Sequence, residues 1–481
     1  MLNKTNSLVF STIEALFFQL LQVSIGTRDA LDRTPTSEEW ALLFEMSKKQ
    51  ALPAIAFAGI KRLRTLSDSN GSAQTGSPMK RAGSNVAIGA KYGIDAVTYL
   101  KWLGLADKIA QRNTMLNAEC SKVCAELSHD GLQCCVLKGQ SNLVNYPEEL
   151  RECRTSGDID LWVKTVEGGI PIAVSSGGSA EYVNYKGIAG VVEYAQQVRR
   201  IQGQPPIPWD RILYHHVEMI TDSGEEMELH YRPSFLCSPL RNRRMQRWFE
   251  ENEQFQTLST STSSAQAESP CVGRERCLNS SNIPLSRGNE GGFPIPTVSF
   301  NAVYQLLHIY KHLFDEGIGL RQLLDYYFVL RALHIERPLQ LPCLGEGVDH
   351  QDKMLEWAKS TGKAAASNDD IMHTLGRFGM KKFAGAVMWV LQTVFSMPDE
   401  YLLCPADEKE GKFLLDEIMQ AGNFGEYDER ICHSSSQVRH AWEKLKHNFR
   451  LIRHYPEEVV WEPVFRVCHF FWRRFCLWKW S

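Results

Sequence analysis

Apolar positions recur at helical spacing in both outer parts of the chain and alternate with polar ones in between. Over residues 8–64, and again over residues 97–127, apolar side chains return every three or four residues, which predicts amphipathic helices. Thr36 and Glu39 have the spacing of a capping box, the start signal of a helix. The apolar pattern over residues 297–335 predicts one or two further strong helices. The helical pattern then continues to residue 481, with breaks near residues 341–350, 396–398 and 421–425.

Residues 132–235 have a different pattern, which predicts a mixed α/β region. Gly131 is placed to end the preceding helix, and a short strand over residues 133–137 follows it. Residues 191–201 predict a helix. Residues 212–220 and 226–231 alternate between apolar and polar side chains around the turn sequence Thr-Asp-Ser-Gly, which predicts a β-hairpin.

Two segments carry few apolar side chains and divide the chain. Residues 65–90 are rich in Ser, Gly and Asn, which predicts a mobile insertion between helices. Residues 256–296 predict a low-complexity linker, because compact domains rarely contain loops of this length. The predicted organisation is therefore a helical region with its insertion (1–130), an α/β core (131–255), the linker (256–296) and a second helical domain (297–481).

Composition changes this picture only slightly. A chain of 481 residues, 43% hydrophobic and 23% charged, is long enough for two or three domains. The net charge of −3 gives no overall attraction to nucleic acid or to anionic membranes. The 13 cysteines, without zinc-type CxxC pairs, favour the reduced thiols of a cytoplasmic protein over a disulfide framework. The apolar stretches at 8–25 and 465–480 are interrupted by polar residues, so we expect no signal peptide and no membrane span.

A pair of carboxylates stands at the start of the second predicted strand. Asp158 and Asp160 are two residues apart, so a strand turns both to the same face and turns Ile159 and Leu161 to the other. Neighbouring carboxylates repel each other and are costly to bury unless a cation lies between them. An all-oxygen site of this kind suits Mg²⁺. The pair therefore predicts a divalent-metal site.

A third carboxylate repeats this pattern in the predicted hairpin. Met227, Leu229 and Tyr231 share one face of their strand, and Glu226, Glu228 and His230 share the other. Asp158, Asp160 and Glu228 together have the arrangement that two-metal phosphoryl transfer requires, in which two cations hold the attacking oxygen and the leaving phosphate in line.

These motifs resemble the polymerase-beta-type nucleotidyltransferase superfamily, and more narrowly the bacterial group known as uncharacterised nucleotidyltransferases. The resemblance extends over roughly the last three-quarters of the chain. Its segments are LKGQ (137–140), RTSGDIDLWV (154–163), HHVEM (215–219), ELHYRPSF (228–235), HLFDEGIGLRQLLDYY (312–327) and GNFGEYD (422–428).

The resemblance implies an α+β fold in which a small mixed-sheet nucleotidyltransferase core is flanked by N-terminal and C-terminal helical regions. It also implies transfer of a nucleoside monophosphate from an NTP such as ATP to an acceptor, with Mg²⁺ or Mn²⁺ as cofactor. Asp158 and Asp160 would bind both metal ions. Glu228 would complete the second metal site and help to deprotonate the acceptor hydroxyl, and Gly139 would allow close approach of the triphosphate.

The chain departs from the superfamily after its first strand. Lys138-Gly139-Gln140 replaces the usual Gly-Ser or Gly-Gly, and Asp158 follows Gly139 by nineteen residues. An ammonium or a guanidinium suits phosphate oxygens, so Lys138 and Arg154 are candidate phosphate contacts. The predicted nucleotide-binding residues are Lys138, Gly139, Gln140, Arg154, Gly157 and His230.

Several histidines and one helical pair allow two interpretations. His230 follows Glu228 on the same face, so it either contacts phosphate or metal or is a hydrogen-bonded structural residue, and His215 and His216 have the same alternatives. His308 and His312 have zinc-compatible spacing but lack the glutamate of an HExxH motif. Arg321 and Asp325 predict an ion pair along a helix, with a role in the active cleft as the alternative.

Two further motifs also allow two interpretations each. Arg241, Arg243, Arg244 and Arg247, with Trp248, form either a nucleic-acid patch or a solvated helix face. The glycines of the sequence GNFG at 422–425 predict either a simple helix end or a loop that contacts substrate.

Three functions fit the sequence. The first is a metal-dependent nucleotidyltransferase that uses an NTP and an unidentified acceptor, which is a sugar phosphate, a metabolite, a tRNA end or a protein hydroxyl. The second is a non-catalytic nucleotide-binding adaptor or regulator on the same fold, favoured by the altered Gly-Ser motif. The third is another phosphotransfer, such as kinase-like chemistry. The net charge disfavours a long nucleic acid as acceptor.

Overall fold

A computed structural model describes residues 11–69, 93–165, 170–172, 181–183, 188–252, 292–339, 366–428 and 446–476. Within these ranges, four helices precede the sheet and one short helix follows its first strand: α1 (Thr12–Ile25), α2 (Ser37–Lys49), α3 (Pro53–Ser69), α4 (Ala96–His129) and α5 (Glu148–Arg151). Ser11 and Thr36 begin α1 and α2 with complete capping boxes, because each hydroxyl accepts a backbone N–H three residues on and the glutamate there accepts one in return. The predicted start at Thr36 is therefore confirmed.

A small mixed sheet follows α4. Its strands are β1 (Leu132–Val136), β2 (Ile159–Thr165), β5 (His216–Ile220) and β6 (Glu226–His230), in the order β1-β2-β6-β5. β2 and β6 are parallel, whereas β1–β2 and β5–β6 are antiparallel. β3 (Ile170–Ile172) and β4 (Glu181–Val183) form a separate ribbon, and α6 (Ile188–Ile201) packs against the sheet.

The chain after the sheet is helical. Its helices are α7 (Pro239–Glu251), α8 (Val298–Asp315), α9 (Leu320–Leu339), α10 (Asn368–Arg377), α11 (Lys381–Phe395), α12 (Glu408–Ala421) and α13 (Pro456–Cys476). Residues 446–451 are also helical. The predicted α+β fold, with a small mixed sheet between helical regions, is confirmed.

The helices from the two ends of the chain share one hydrophobic core. Buried side chains of α1–α4 and of α8–α12 belong to the same cluster, and a second cluster lies between the sheet, α4 and α6. Gln50 joins the two ends by hydrogen bonds, because its amide donates to the Ile418 carbonyl (3.1 Å) and accepts from the Leu320 N–H (2.9 Å). The four predicted domain boundaries remain a prediction.

Most predicted elements lie within a few residues of the observed ones. The predicted hairpin turn at residues 221–224 is present, since the Gly224 N–H donates to the Thr221 carbonyl at 2.9 Å. The helix breaks after Phe395 and Ala421 are also confirmed, and residues 297–335 hold two helices, α8 and α9. Ile159 and Leu161 are buried in the second core, as predicted.

Two predicted element boundaries differ from the structure. The strand predicted over residues 212–220 begins only at His216, because the Leu213 N–H donates to the His216 carbonyl and turns the chain there. α3 continues to Ser69, into the predicted insertion, and residues 70–90 lie outside the described residues. The described residues also exclude 256–291, which belong to the predicted linker, and the predicted helix break at 341–350. The last residues of the linker pack into the second core through Phe293 and Ile295.

Eight cysteines of the described residues are free thiols, in agreement with the prediction for that part of the chain: Cys120, Cys124, Cys134, Cys135, Cys153, Cys237, Cys404 and Cys468. Within the same ranges, no helix has the length and apolar character needed to cross a bilayer.

Candidate functional site

Two of the three predicted carboxylates face each other across adjacent strands. The parallel pairing of β2 with β6 places Asp160 opposite Glu228. Asp160 is buried, with 2% of its surface exposed. Asp158 comes just before β2, is half-buried and lines the same cleft as Glu228. The alternation that buries Ile159 and Leu161 behind the sheet therefore brings all three carboxylates to one side of it.

Lys138 supplies a positive charge to this group. Its Nζ lies 2.8 Å from Asp160 Oδ1, and its side chain is only 15% exposed. Burial alone lowers the pKa of the ammonium, but the negative charges of Asp160, Asp158 and Glu228 outweigh it and hold the pKa above its usual range. Gly139 follows with φ +63°, a conformation that favours glycine, as the chain turns from β1 into a 3₁₀ turn.

His230 joins the two carboxylates. Its Nε2 lies 3.0 Å from Asp160 Oδ1 and 2.9 Å from Glu228 Oε2. Burial lowers the pKa of this imidazole, but its hydrogen bonds with Asp160 and Glu228 outweigh that effect and raise the pKa. Burial also raises the pKa of Glu228, yet the hydrogen bond from His230 and the charge of Lys138 hold it well below the usual range. Glu228 therefore stays ionised near neutral pH.

His215 and His216 extend the group toward helix α8. His216 Nδ1 lies 3.3 Å from Glu228 Oε2 and 3.0 Å from His215 Nε2. Lys311 Nζ, on α8, lies 3.3 Å from that same His215 nitrogen. Burial lowers the pKa of both histidines, and the charge of Lys311 lowers that of His215 further, so both are neutral imidazoles at pH 7.

These side chains line a cleft of about 630 Å³ between the sheet edge and α8. The other side of the cleft carries Arg112, whose guanidinium donates to Glu225 at 2.8 Å. Lys311, His308 and His312 line it from α8. The cleft is thus rich in both cationic and anionic groups, with volume for a ligand the size of a nucleotide.

Arg154 is held by a buried carboxylate. Its guanidinium donates to both oxygens of Asp325 at 2.7 Å, and the Tyr146 hydroxyl donates to the same carboxylate at 2.6 Å. Arg321 donates to the Thr155 carbonyl at 2.9 Å. The hydrogen bonds of Asp325 therefore come from other elements, whereas the sequence predicted an ion pair with Arg321 along the helix. All three charged residues line a small pocket that also contains Asp158 and Asp160. A role of Arg321 and Asp325 in the active cleft remains a prediction.

The other predicted nucleotide-binding residues lie on different sides of the site. Gly157 lines the cleft, and a Cβ at this position would meet no atom within 4 Å. Gln140 is buried, and its amide donates to Asn117 Oδ1 at 2.8 Å, on α4. The roles assigned to Lys138, Gly139, Gln140, Arg154, Gly157 and His230 remain predictions.

The GNFG turn presents an aromatic ring to the cleft. Phe424 is 37% exposed and has φ 53°, which is unusual for a residue with a side chain. The turn packs on the loop between α8 and α9 so closely that a Cβ on Gly319 would lie 2.9 Å from Asn423 Cα. Phe424 rests on Arg321, whose guanidinium carbon is 5.1 Å from the ring centre.

The basic helix α7 has a buried face and a solvated one. Trp248 is buried, with its ring 5.1 Å from that of Phe300, and Arg241 forms an ion pair with Glu457. Arg243, Arg244 and Arg247 are exposed. The tryptophan is therefore a core residue, which agrees with the interpretation as a solvated helix face.

Lys311 and Arg112 were not predicted as site residues. Both lie on helices, where their positions at the cleft depend on packing against the sheet. For Lys311 a signal existed: His308, Lys311 and His312 share one face of a helix that is otherwise almost wholly buried. A polar face on such a helix indicates a polar partner.

The sequence matches the family model of uncharacterised nucleotidyltransferases over residues 36–340. This chain belongs to that family. The match includes five of the segments that carried the resemblance and the residues of the carboxylate group, whereas GNFGEYD at 422–428 lies beyond it. No curated protein and no protein of known structure is detectably similar to the chain.

The residues of this family member fit a divalent cation. Asp160, Glu228 and His230 each offer a ligand atom, and these atoms all lie within 4.8 Å of one another. Two carboxylates and an imidazole are common ligands of divalent metals. Asp158 lies outside this group of three but lines the same cleft, so its predicted role as a metal ligand remains a prediction.

Proposed function

We propose that the protein is a metal-dependent nucleotidyltransferase that transfers a nucleoside monophosphate from an NTP to an acceptor, releasing pyrophosphate. The convergence of Asp160, Glu228 and His230 beside Asp158, in a cleft of about 630 Å³, carries this proposal. Lys138 compensates one of these negative charges, and a divalent cation would compensate the others and offer a binding position for phosphate oxygens.

Each side chain has a part that its position allows. Asp158, Asp160 and Glu228 would hold Mg²⁺ or Mn²⁺, which when bound stabilises the charge that develops on the transferred phosphoryl group. Glu228, kept ionised by His230 and Lys138, would accept the proton of the acceptor hydroxyl. Lys311 and Arg112, on opposite sides of the cleft, would attract the triphosphate.

One observation favours the second candidate, a nucleotide-binding adaptor. The ammonium of Lys138 already neutralises Asp160 at 2.8 Å, so this carboxylate has a cation of its own. An adaptor that binds nucleotide through Lys138, Lys311 and Arg112 would need no metal for charge balance.

Thermal unfolding with the four NTPs distinguishes the two candidates. We expect an NTP to raise the melting temperature only when Mg²⁺ or Mn²⁺ is present. A ligand at about 100 times its Kd stabilises the folded state by about 2.7 kcal/mol, which is a measurable shift. The matched control is the same NTP with excess EDTA. Equal stabilisation with EDTA and with metal supports the adaptor and contradicts the enzyme.

Phe424 is expected to contact the base of the bound nucleotide. Stacking of a base on an aromatic ring contributes about 1–3 kcal/mol, so Phe424→Ala should raise the KM for the NTP at least about fivefold and change kcat little. Phe424→Tyr retains the ring and should retain the KM. Phe449 is a suitable control, because it is exposed (67%) and does not line the cleft. Equal KM values for Phe424→Ala and Phe449→Ala would exclude the contact.

A further inference from the structure

Three histidines form a group on the Glu228 side of the cleft. His215, His216 and His230 are all buried, with 7%, 5% and 2% of their surfaces exposed. Each offers one ring nitrogen to a common volume in which these atoms lie within 4.8 Å of one another. The ring nitrogens inside the group contact one another, Glu228 and Lys311.

The distances within the group match those between neighbouring ligands of one metal ion. His230 Nε2 and His216 Nδ1 lie 2.9 Å and 3.3 Å from Glu228 Oε2, and His216 Nδ1 lies 3.0 Å from His215 Nε2. Ligands bound at about 2.0–2.2 Å to one cation are about 3 Å apart at adjacent positions. The three imidazoles thus lie within reach of one another, and Glu228 Oε2 lies within 3.3 Å of two of them.

The cationic neighbour of His215 supports a cation site. Lys311 Nζ lies 3.3 Å from His215 Nε2, and an ammonium has only N–H donors, so this nitrogen presents its lone pair. A lone pair directed at a positive charge has the orientation that a metal ligand needs. Lys311 lines the cleft from α8, and its Nζ also lies 3.4 Å from Asp315 Oδ2.

We propose that His215, His216, His230 and Glu228 form a nitrogen-rich site that prefers a first-row transition-metal ion, such as Mn²⁺, Co²⁺ or Zn²⁺, to Mg²⁺. Imidazole suits these ions, whereas Mg²⁺ favours oxygen ligands and retains its waters. The inference rests on the proposed function only in that Glu228 serves both. It assigns to the enzyme a metal preference that its carboxylates alone would not give.

Metal binding by the full chain, without nucleotide, tests the site. After removal of metal with EDTA, Co²⁺ is titrated and followed by its visible absorption, and Mg²⁺ affinity is measured by competition. We expect Co²⁺ to bind at least 100-fold more tightly than Mg²⁺. His216→Gln should weaken Co²⁺ binding at least tenfold, because even partners behind the ligands contribute about 10–100-fold.

His308→Gln is the matched control. His308 is buried and lines the same cleft, but it lies outside the group of three, so its replacement should leave Co²⁺ binding unchanged. Equal affinities for Co²⁺ and Mg²⁺, or equal Co²⁺ binding by His216→Gln and the wild type, would overturn the proposal.

A measurement on the wild type avoids dependence on a variant that fails to fold. Pulsed EPR of the Mn²⁺-bound chain detects coupling to nitrogen nuclei when imidazoles are ligands, and its absence at saturating Mn²⁺ would also overturn the site. The two proposals fail separately. Coupling to two or more imidazole nitrogens without nucleotide transfer retains this site and removes the activity, whereas transfer with Mg²⁺ and no coupling beyond a single nitrogen does the reverse.

Discussion

Asp158→Asn is expected to reduce nucleotide transfer at least about 10²–10³-fold, because an amide keeps the shape of the side chain but removes the charge that holds a cation at the reacting phosphate. Asp158 is half-buried, and its carboxylate accepts no hydrogen bond from the described residues, so its replacement should change the folding stability little. Transfer is measured as incorporation of label from an α-³²P-labelled NTP incubated with cell extract, which supplies the unknown acceptor.

The position of Asp158 makes it a cleaner test than Asp160. Asp160→Asn would also leave the buried ammonium of Lys138 without its carboxylate, so a loss of activity would be mixed with a loss of stability. The matched control is Asp222→Asn, the same chemical change at a carboxylate that is 60% exposed in the hairpin turn. Unchanged labelling by Asp158→Asn, with the melting temperature preserved, would falsify the catalytic role.

Asp325→Asn is expected to destabilise the folded chain by about 3–5 kcal/mol, because it leaves the guanidinium of Arg154 buried without a counter-charge. The side chains of Arg154 and Asp325 are only 5% and 3% exposed, and both guanidinium–carboxylate hydrogen bonds are 2.7 Å long. The carboxylate holds the pKa of Arg154 above its usual range against the effect of burial. Urea unfolding followed by circular dichroism measures the loss.

Two controls separate a buried charge from a general effect of mutation. Lys412→Gln removes one partner of an exposed ion pair with Glu408 on α12, and should cost less than about 1 kcal/mol. The double variant Arg154→Met, Asp325→Leu removes both charges of the pair and should recover much of the loss of Asp325→Asn. If the single variant loses no more than Lys412→Gln, the pair does not stabilise this fold.

The sequence predicted the elements of the site because their signals are local. Alternation along β2 and β6 gave the faces of Asp160 and Glu228, and the buried Ile159 and Leu161 confirm them. Capping at Thr36 and the glycine after Ala421 likewise depend only on neighbouring residues. Where the alternating pattern extended beyond the strand, as over residues 212–220, a backbone turn at Leu213 delays the start of the strand to His216.

The contacts around the carboxylates depended on sheet order. β6 lies between β2 and β5, so Glu228 has Asp160 on one side and the residues of β5 on the other. Nothing in the alternating pattern of a strand specifies its neighbour. The approach of His216 to Glu228 was therefore not predictable from the spacing of the two residues in the sequence.

The sequence by itself determined the family, the fold class and the identity of the acidic group, because motif spacing and apolar periodicity are properties of short segments. Only the tertiary structure decided that Lys138 neutralises Asp160, that Asp325 binds Arg154 from 171 residues away, and that three histidines gather beside Glu228. The physical reason is that a side chain's partners, burial and protonation depend on which surfaces meet when distant segments pack.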